Sequence, residues 1–430
     1  MVDTIVKYFH KYKSLDTMLR IKITCIILVA GVGLSIGVMA LKSYQSLAKI
    51  TANETYASQI LTICKNVSYK PSCYEEQVLK LMNIMSMEGA FEVTRLIQEK
   101  DPFYPYCHAL GHKLSFKETQ SGADWKDVLI RCPLAMCNYG CLHGSLIEHF
   151  RGEVLTSEQI LQVLPDLQNV CEKRSGWNPS RLDMSMCYHA LGHLAMYITG
   201  ADMTKTTDIC KAVSVKSPFY ESQLKSCIGG VFMTLLYAAD PEDRALVKDI
   251  RPDKDNVMQF CRKFTDIEYQ ICRQESASFY EEEFLQNSNN IVSFCSFALK
   301  PEDIQDCYFT VMNRMTDSFI GKANSVRQMA QYCDHMSGRT DLCYSGFALR
   351  MIQIDKKNVG QASDLCGRSG SNDIRISCYN KIVSYGTLIF SPGSSDFRTY
   401  CMVLPSPYVD ECLGQIVERG MGSVPIFPKN

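Results

Sequence analysis

Along most of this chain apolar side chains recur at the spacing of one helical face, and cysteines punctuate the pattern. After Cys343, the residues Tyr344, Phe347, Ala348, Met351 and Ile352 fall at i, i+3, i+4, i+7 and i+8, which makes one apolar stripe on a helix. After Cys378 the same face is written by Tyr379, Ile382, Val383 and Phe390. No comparable run of alternating β-branched residues competes, so the chain beyond its N-terminal region is expected to be all-α.

One unit recurs. An amphipathic segment ends in cysteine, a short polar turn follows, and a second cysteine opens another amphipathic segment. The clearest copies are Phe260-Cys261 to Cys272, Phe294-Cys295 to Cys307-Tyr308, Tyr332-Cys333 to Cys343-Tyr344, Leu365-Cys366 to Cys378-Tyr379, and Tyr400-Cys401 to Cys412. Taking the second cysteine as a marker gives Cys73, Cys107, Cys141, Cys187, Cys227, Cys272, Cys307, Cys343, Cys378 and Cys412, at intervals of 34 to 46 residues. A period of about 35 residues is that of helical-hairpin repeats, which bury their apolar faces only by stacking on one another. The expected fold is an α-solenoid of about ten disulfide-stapled hairpins. In period and helix pairing it resembles the tetratricopeptide-like repeat class. The tryptophan, glycine and proline signature positions of that class are not recoverable here, so the resemblance extends to fold class only.

Twenty-one cysteines in a chain of 430 residues need an outlet, either disulfides in an oxidising compartment or metal thiolates. The hairpin frame brings two thiols together across each turn, pairing Cys64–Cys73, Cys132–Cys141, Cys171–Cys187, Cys210–Cys227, Cys261–Cys272, Cys295–Cys307, Cys333–Cys343, Cys366–Cys378 and Cys401–Cys412. Cys107 and Cys137 then remain in adjacent units and pair with each other. Closing a loop of about ten residues stabilises a hairpin by roughly 2 to 3 kcal/mol. A second outlet is a structural zinc on Cys132, Cys137, Cys141 and His143, whose spacing suits such a site.

From Ile23 to Leu41 run 19 residues without a charge, enough to cross a bilayer core as a helix. Lys7, Lys11, Lys13, Arg20 and Lys22 precede it, so residues 1–22 are expected in the cytoplasm as a basic leader and everything after Lys42 outside. Cys25 stays free in this span. A cleaved signal peptide is the rival, with small residues at Val38-Met39-Ala40, but the long leader and long apolar run favour a retained anchor. A polar linker over 42–55 and a repeat domain over 56–430 follow, with histidine-containing repeats at 56–240 and regular ones at 241–430. Asn53-Glu54-Thr55 and Asn66-Val67-Ser68 match the glycosylation sequon. With a formal net charge of −1 and its basic residues dispersed, the chain offers no stripe for nucleic acid.

Six of the eight histidines lie between His108 and His193, and they are patterned. Cys107-His108-Ala109-Leu110-Gly111-His112 nearly repeats as Cys187-Tyr188-His189-Ala190-Leu191-Gly192-His193, with Cys141-Leu142-His143-Gly144 between them. Spacing of i, i+4 puts His108 with His112, and His189 with His193, on one helical face each. Successive second helices of a solenoid are neighbours, so His108, His112, His143, His189 and His193 are expected to converge as metal ligands. His149 is an additional ligand candidate and Glu148 a candidate general base. Gly111, Gly144 and Gly192 are expected to clear room for an ion or substrate. Counted from the cysteine, His108 and His112 sit one residue out of register with His189 and His193, a rotation of about 100° on an ideal helix. The alternative is that these are inert, hydrogen-bonded core histidines.

With the cysteines held as disulfides, the available ligands are imidazoles. That set suits copper, iron or zinc rather than calcium or magnesium, and an oxidising compartment favours copper. The leading reading is a membrane-anchored, extracytoplasmic metalloprotein, expected to act as a metal-dependent oxidoreductase or oxygen-activating enzyme on a peptide or protein held in the concave groove. The other reading is a non-enzymatic repeat scaffold for a peptide or protein partner. No phosphate-binding glycine loop, Gly-x-Ser-x-Gly elbow or His-Glu-x-x-His helix is present in the chain.

Overall fold

A computed structural model describes residues 49–418, apart from short loop stretches at 102–103, 105–106, 134–135, 151–153, 175–176, 239–240, 299 and 391–393. The expected anchor over 23–41 and its basic leader lie outside the described residues. Among the described residues no helix is long and apolar enough to cross a membrane. The chain divides into two compact units at residues 63 and 64. In the first, residues 49–63 are helical, so helix begins inside the stretch expected to be a polar linker. Thr55, Ser58 and Thr62 each donate a hydroxyl to the carbonyl four residues back, which keeps these short polar side chains compatible with the helix. Asn53 is buried on this helix, which does not suit a glycan acceptor, whereas Asn66 is exposed in the turn that follows.

The second unit is built of helical hairpins, with no strand among the described residues. The second helix of each repeat is α1 (Lys70–Leu81), α2 (His108–Gln120), α3 (Gly140–His149), α4 (Arg181–Ile198), α5 (Tyr220–Leu236), α6 (Asp266–Glu275), α7 (Pro301–Phe319), α8 (Thr340–Ile354), α9 (Asn372–Ile389) and α10 (Tyr408–Glu418). Each packs on the next, from α1 through α10. Starts are set by side chains where the sequence supplies them. Ser180 and Asp183 close a capping box at the head of α4, and Thr156 and Gln159 do the same for the preceding helix, Ser157–Val170.

All ten expected disulfides are formed. In Cys333–Cys343, as in the other hairpins, the thiols meet across the turn, here with Cα atoms 5.5 Å apart. Cys107–Cys137 instead joins neighbouring repeats, at 4.6 Å. Ten such bonds place this part of the chain in an oxidising, extracytoplasmic environment. They also remove the zinc-thiolate alternative, because Cys132, Cys137 and Cys141 carry no thiolate to give.

Two departures from a simple stacked array stand out. Between Pro241 and Phe294 the helices are short, Pro241–Val247, Val257–Cys261, Glu281–Gln286 and Asn289–Phe294, so the stretch expected to be regular starts irregularly. Asp240-Pro241 and Arg251-Pro252 fall in or beside these breaks, and proline restrains the residue before it from continuing a helix. The row of second helices also turns back on itself: α4 touches α9, and the 3₁₀ turn Met136–Tyr139 touches α8. Tyr139 donates its hydroxyl to Asp183 at the start of α4, and Lys381 of α9 donates to Gln305 of α7. As a result α8 is buried on every side from Leu342 to Gln353, where its sequence pattern predicted a single stripe.

Candidate metal centre

Three adjacent helices carry the five histidines. The middle one, α3, lies between α2 and α4, so His143 faces His108 and His112 on one side and His189 and His193 on the other. The ring of His143 is in contact with all four others, at centroid separations of 4.8 to 5.7 Å.

Glycine sets this closeness. A Cβ on Gly144 would meet the backbone carbonyl of His112, and one on Gly192 the carbonyl of Cys227. Gly140 stands in the same way against the carbonyl of His108, and Gly230 against that of His189. Gly140 and Gly144 let the backbones of α2 and α3 touch, and that short interaxial distance brings His143 to His108 and His112, while Gly192 and Gly230 do the same for α4 against α5, which carries no histidine. Their role is therefore helix approach, which corrects the expectation that they clear space for an ion. The one-residue offset between the two His-Ala-Leu-Gly-His motifs has a local cause as well. Cys107 is not a hairpin cysteine, since it bonds Cys137, and both motifs are in register when counted from Gly111 and Gly192.

The nitrogens form two sets of three. His108, His112 and His143 bring one ring nitrogen each within 4.8 Å of one another, and so do His143, His189 and His193. Within the first set His112 Nε2 lies 3.0 Å from His108 Nε2 and 3.2 Å from His143 Nδ1. In the second, His193 Nε2 lies 3.1 Å from His189 Nε2. Ligands about 2.0 to 2.1 Å from a common ion stand roughly 2.9 to 3.4 Å from one another, and these three distances fall in that range.

Hydrogen bonds on the far side orient the rings, and for His108 the bond fixes which nitrogen carries the proton. His108 Nδ1 is 3.2 Å from the carbonyl oxygen of Cys137, which can only accept, so Nδ1 is the donor and Nε2 keeps its lone pair. The Thr234 hydroxyl lies 2.7 Å from His193 Nδ1 and 3.0 Å from the carbonyl of Gly230, and so engages the far side of the His193 ring. His189 Nε2 and His193 Nε2 face each other 3.1 Å apart, and outer partners that orient the ring are the usual surroundings of a ligating histidine.

Burial pushes His112, His143 and His193 well below the ordinary imidazole range, with neighbouring histidines adding to the effect. Burial lowers His189 to about 4. Neutral rings are the form that binds metal, so protons compete little for these nitrogens at neutral pH. His143 is 1% exposed, while His108, His112 and His189 retain some access to solvent.

The other candidates fall elsewhere. His149 is exposed at the end of α3 and stacks on Trp125 with ring centroids 5.2 Å apart, and Glu148 is half-buried beside it. Neither joins either set of three. The residue pattern did not announce the outer partners, Cys137 by its carbonyl and Thr234. Only Thr234 is a recognisable side-chain partner, and its distance from the histidine motifs along the chain gave no local signal. The two groups of three histidines can hold a transition metal ion. Comparison with known proteins finds no matching family model, no matching curated protein and no matching solved structure.

Proposed function

We propose that this is an extracytoplasmic metalloprotein, anchored by the apolar stretch 23–41, whose five-histidine centre binds copper and carries out redox or oxygen chemistry. The observation that carries the reading is the convergence of five imidazoles from three adjacent helices, one ring nitrogen each of His108, His112 and His143 within 4.8 Å of one another and likewise of His143, His189 and His193. Copper is favoured over zinc and iron because every ligand is an imidazole, no carboxylate joins the set, and the compartment is oxidising. Three nitrogens per ion leave a coordination position for a substrate or oxygen, which distinguishes a reactive site from a closed structural one. When bound, the metal would supply the electron transfer. The residues of this chain hold it, keep the rings neutral, and limit water to one side.

The test is elemental analysis of protein purified from an oxidising compartment, alongside a variant with His108, His112, His143, His189 and His193 all replaced by alanine. Bound transition metal in the parent and none in the variant is expected. A parent protein that is folded and disulfide-bonded yet neither contains nor takes up copper, zinc or iron would leave the repeats as a scaffold with structural histidines.

A further inference from the structure

The five nitrogen donors do not form one set. They form two sets of three that overlap in a single residue, His143. An imidazole has two ring nitrogens pointing in divergent directions, and the two of His143 are used differently. Nδ1 faces the first set, 3.2 Å from His112 Nε2. Nε2 is buried and bonded to nothing, on a residue 1% exposed. A buried ring nitrogen without a partner costs roughly 1 to 3 kcal/mol, so one that persists at the centre of a histidine cluster calls for a ligand. The rings of His189 and His193 stand beside it, with centroids 5.7 and 4.8 Å from that of His143.

From this geometry we propose that the centre is dinuclear, with one ion on His108, His112 and His143 Nδ1, a second on His189, His193 and His143 Nε2, and the His143 ring as the bridge. The inference rests on the metal-binding reading above and sharpens it from one ion to two. Forming the bridge makes a metal–nitrogen bond at each side of the ring and breaks its one N–H bond. The ring becomes an imidazolate and the released proton passes to solvent. Two metal–nitrogen bonds of about 2 Å across an imidazole ring place the ions roughly 6 Å apart. At that distance, joined through one conjugated ring, two cupric ions are magnetically coupled, and an electron delivered to one is shared readily with the other.

The arrangement also accounts for the position of α3. The helices α2 and α4 each present two histidines one turn apart, whereas α3 presents one, at a level where both pairs reach it. In α5, the residue two beyond the hairpin cysteine is Gly229, where α3 has His143. A side chain at that position would come into contact with the His189 ring, so α5 packs beside the second set without adding a histidine to it.

The experiment loads the full chain, disulfides intact, with cupric ion under dialysis and measures bound copper per chain together with the electron paramagnetic resonance spectrum. Two copper ions per chain with most of the resonance intensity lost to coupling is the expected result. In His189→Ala/His193→Ala, copper should fall by half, to one ion per chain, and that ion should show its full uncoupled signal. His143→Gln should lose the coupling, and it serves as a check if the double variant folds poorly. One copper per chain in the parent, or two with independent full-intensity signals, would overturn the bridge while leaving the metal-binding reading intact. No copper at all would remove both.

Discussion

The repeats around His143 and those around Met312 share one frame and use it to opposite ends. In both, disulfide-stapled hairpins set their second helices side by side, and in both a glycine stands three residues after the hairpin cysteine, Gly144 in α3 and Gly346 in α8. At Gly346 the space is filled by the side chain of Met312 from the neighbouring helix, 2.6 Å from a built Cβ. At Gly144 it is filled by the backbone carbonyl of His112. The late repeats therefore keep their helices apart with methionine, tyrosine and phenylalanine and become a dry core around Met312, Tyr344, Phe347 and Met351. The early ones bring backbones into contact, and polar rings from three helices meet in the gap. A repeat frame alone makes no site. The site comes from replacing side-chain spacers by glycine and placing histidine next to it.

This contrast is broken most sharply at the glycines. Gly144→Ala should cost about 4 kcal/mol or more and abolish metal uptake, because the added methyl meets the His112 carbonyl and the axes of α2 and α3 must separate. Gly346→Ala should cost roughly 1 to 3 kcal/mol, since a methionine side chain rearranges more easily than a backbone, and metal uptake should stay as in the parent. Denaturant unfolding with parallel metal analysis reads both effects. Equal losses at the two positions would mean that backbone contact is not what separates the regions.

Removing a staple comes next in size. Cys366→Ser/Cys378→Ser should lower stability by roughly 2 to 3 kcal/mol and leave bound metal unchanged, because the loop it closes lies in the late repeats. A fall in metal content would show that the late hairpins hold the centre together through the return contact of α9 on α4.

Much of this organisation was legible in the chain. Cysteine spacing predicted the nine hairpin disulfides, since a hairpin turn leaves each thiol one neighbour within reach, Cys107–Cys137 followed as the pair left over, and the i, i+4 histidine pairs predicted the converging rings. What the pattern did not carry was anything set by contacts distant in sequence. The burial of α8 on all sides depends on the turn at Met136–Tyr139, some two hundred residues away, which no local stripe can announce. Gly140 and Gly230 look like ordinary small residues until the opposing carbonyl is seen. His149 was placed with the ligands because it follows His143 on the same helix, but six residues of helix rotate it away from that face, onto Trp125.

A smaller effect sharpens the comparison at the repeat that lacks its own staple. The second repeat has no hairpin disulfide, and Arg131 ties its helix Met87–Lys100 to α2 and to the helix Trp125–Arg131 by bonding both Glu88 and Glu118. The Arg131 hydrogen bond lowers the Glu88 carboxyl to about 2. A carboxylate whose folded value is depressed contributes stability above its unfolded value, and loses it as pH falls from about 4.5 towards 2. The pair is partly solvated, so the contribution is below about 1 kcal/mol. Glu88→Gln should be less stable than the parent at pH 7 and equal to it near pH 2. A difference that persists unchanged at low pH would assign the loss to packing.

The central claim is that imidazoles, and not sulfur or carboxylate, hold a metal in the early repeats. X-ray absorption at the copper edge of the loaded protein measures this directly. The account predicts a shell of nitrogen at about 2.0 Å with the outer-shell scattering of imidazole rings. A sulfur shell near 2.3 Å, or an oxygen shell without imidazole scattering, would contradict it.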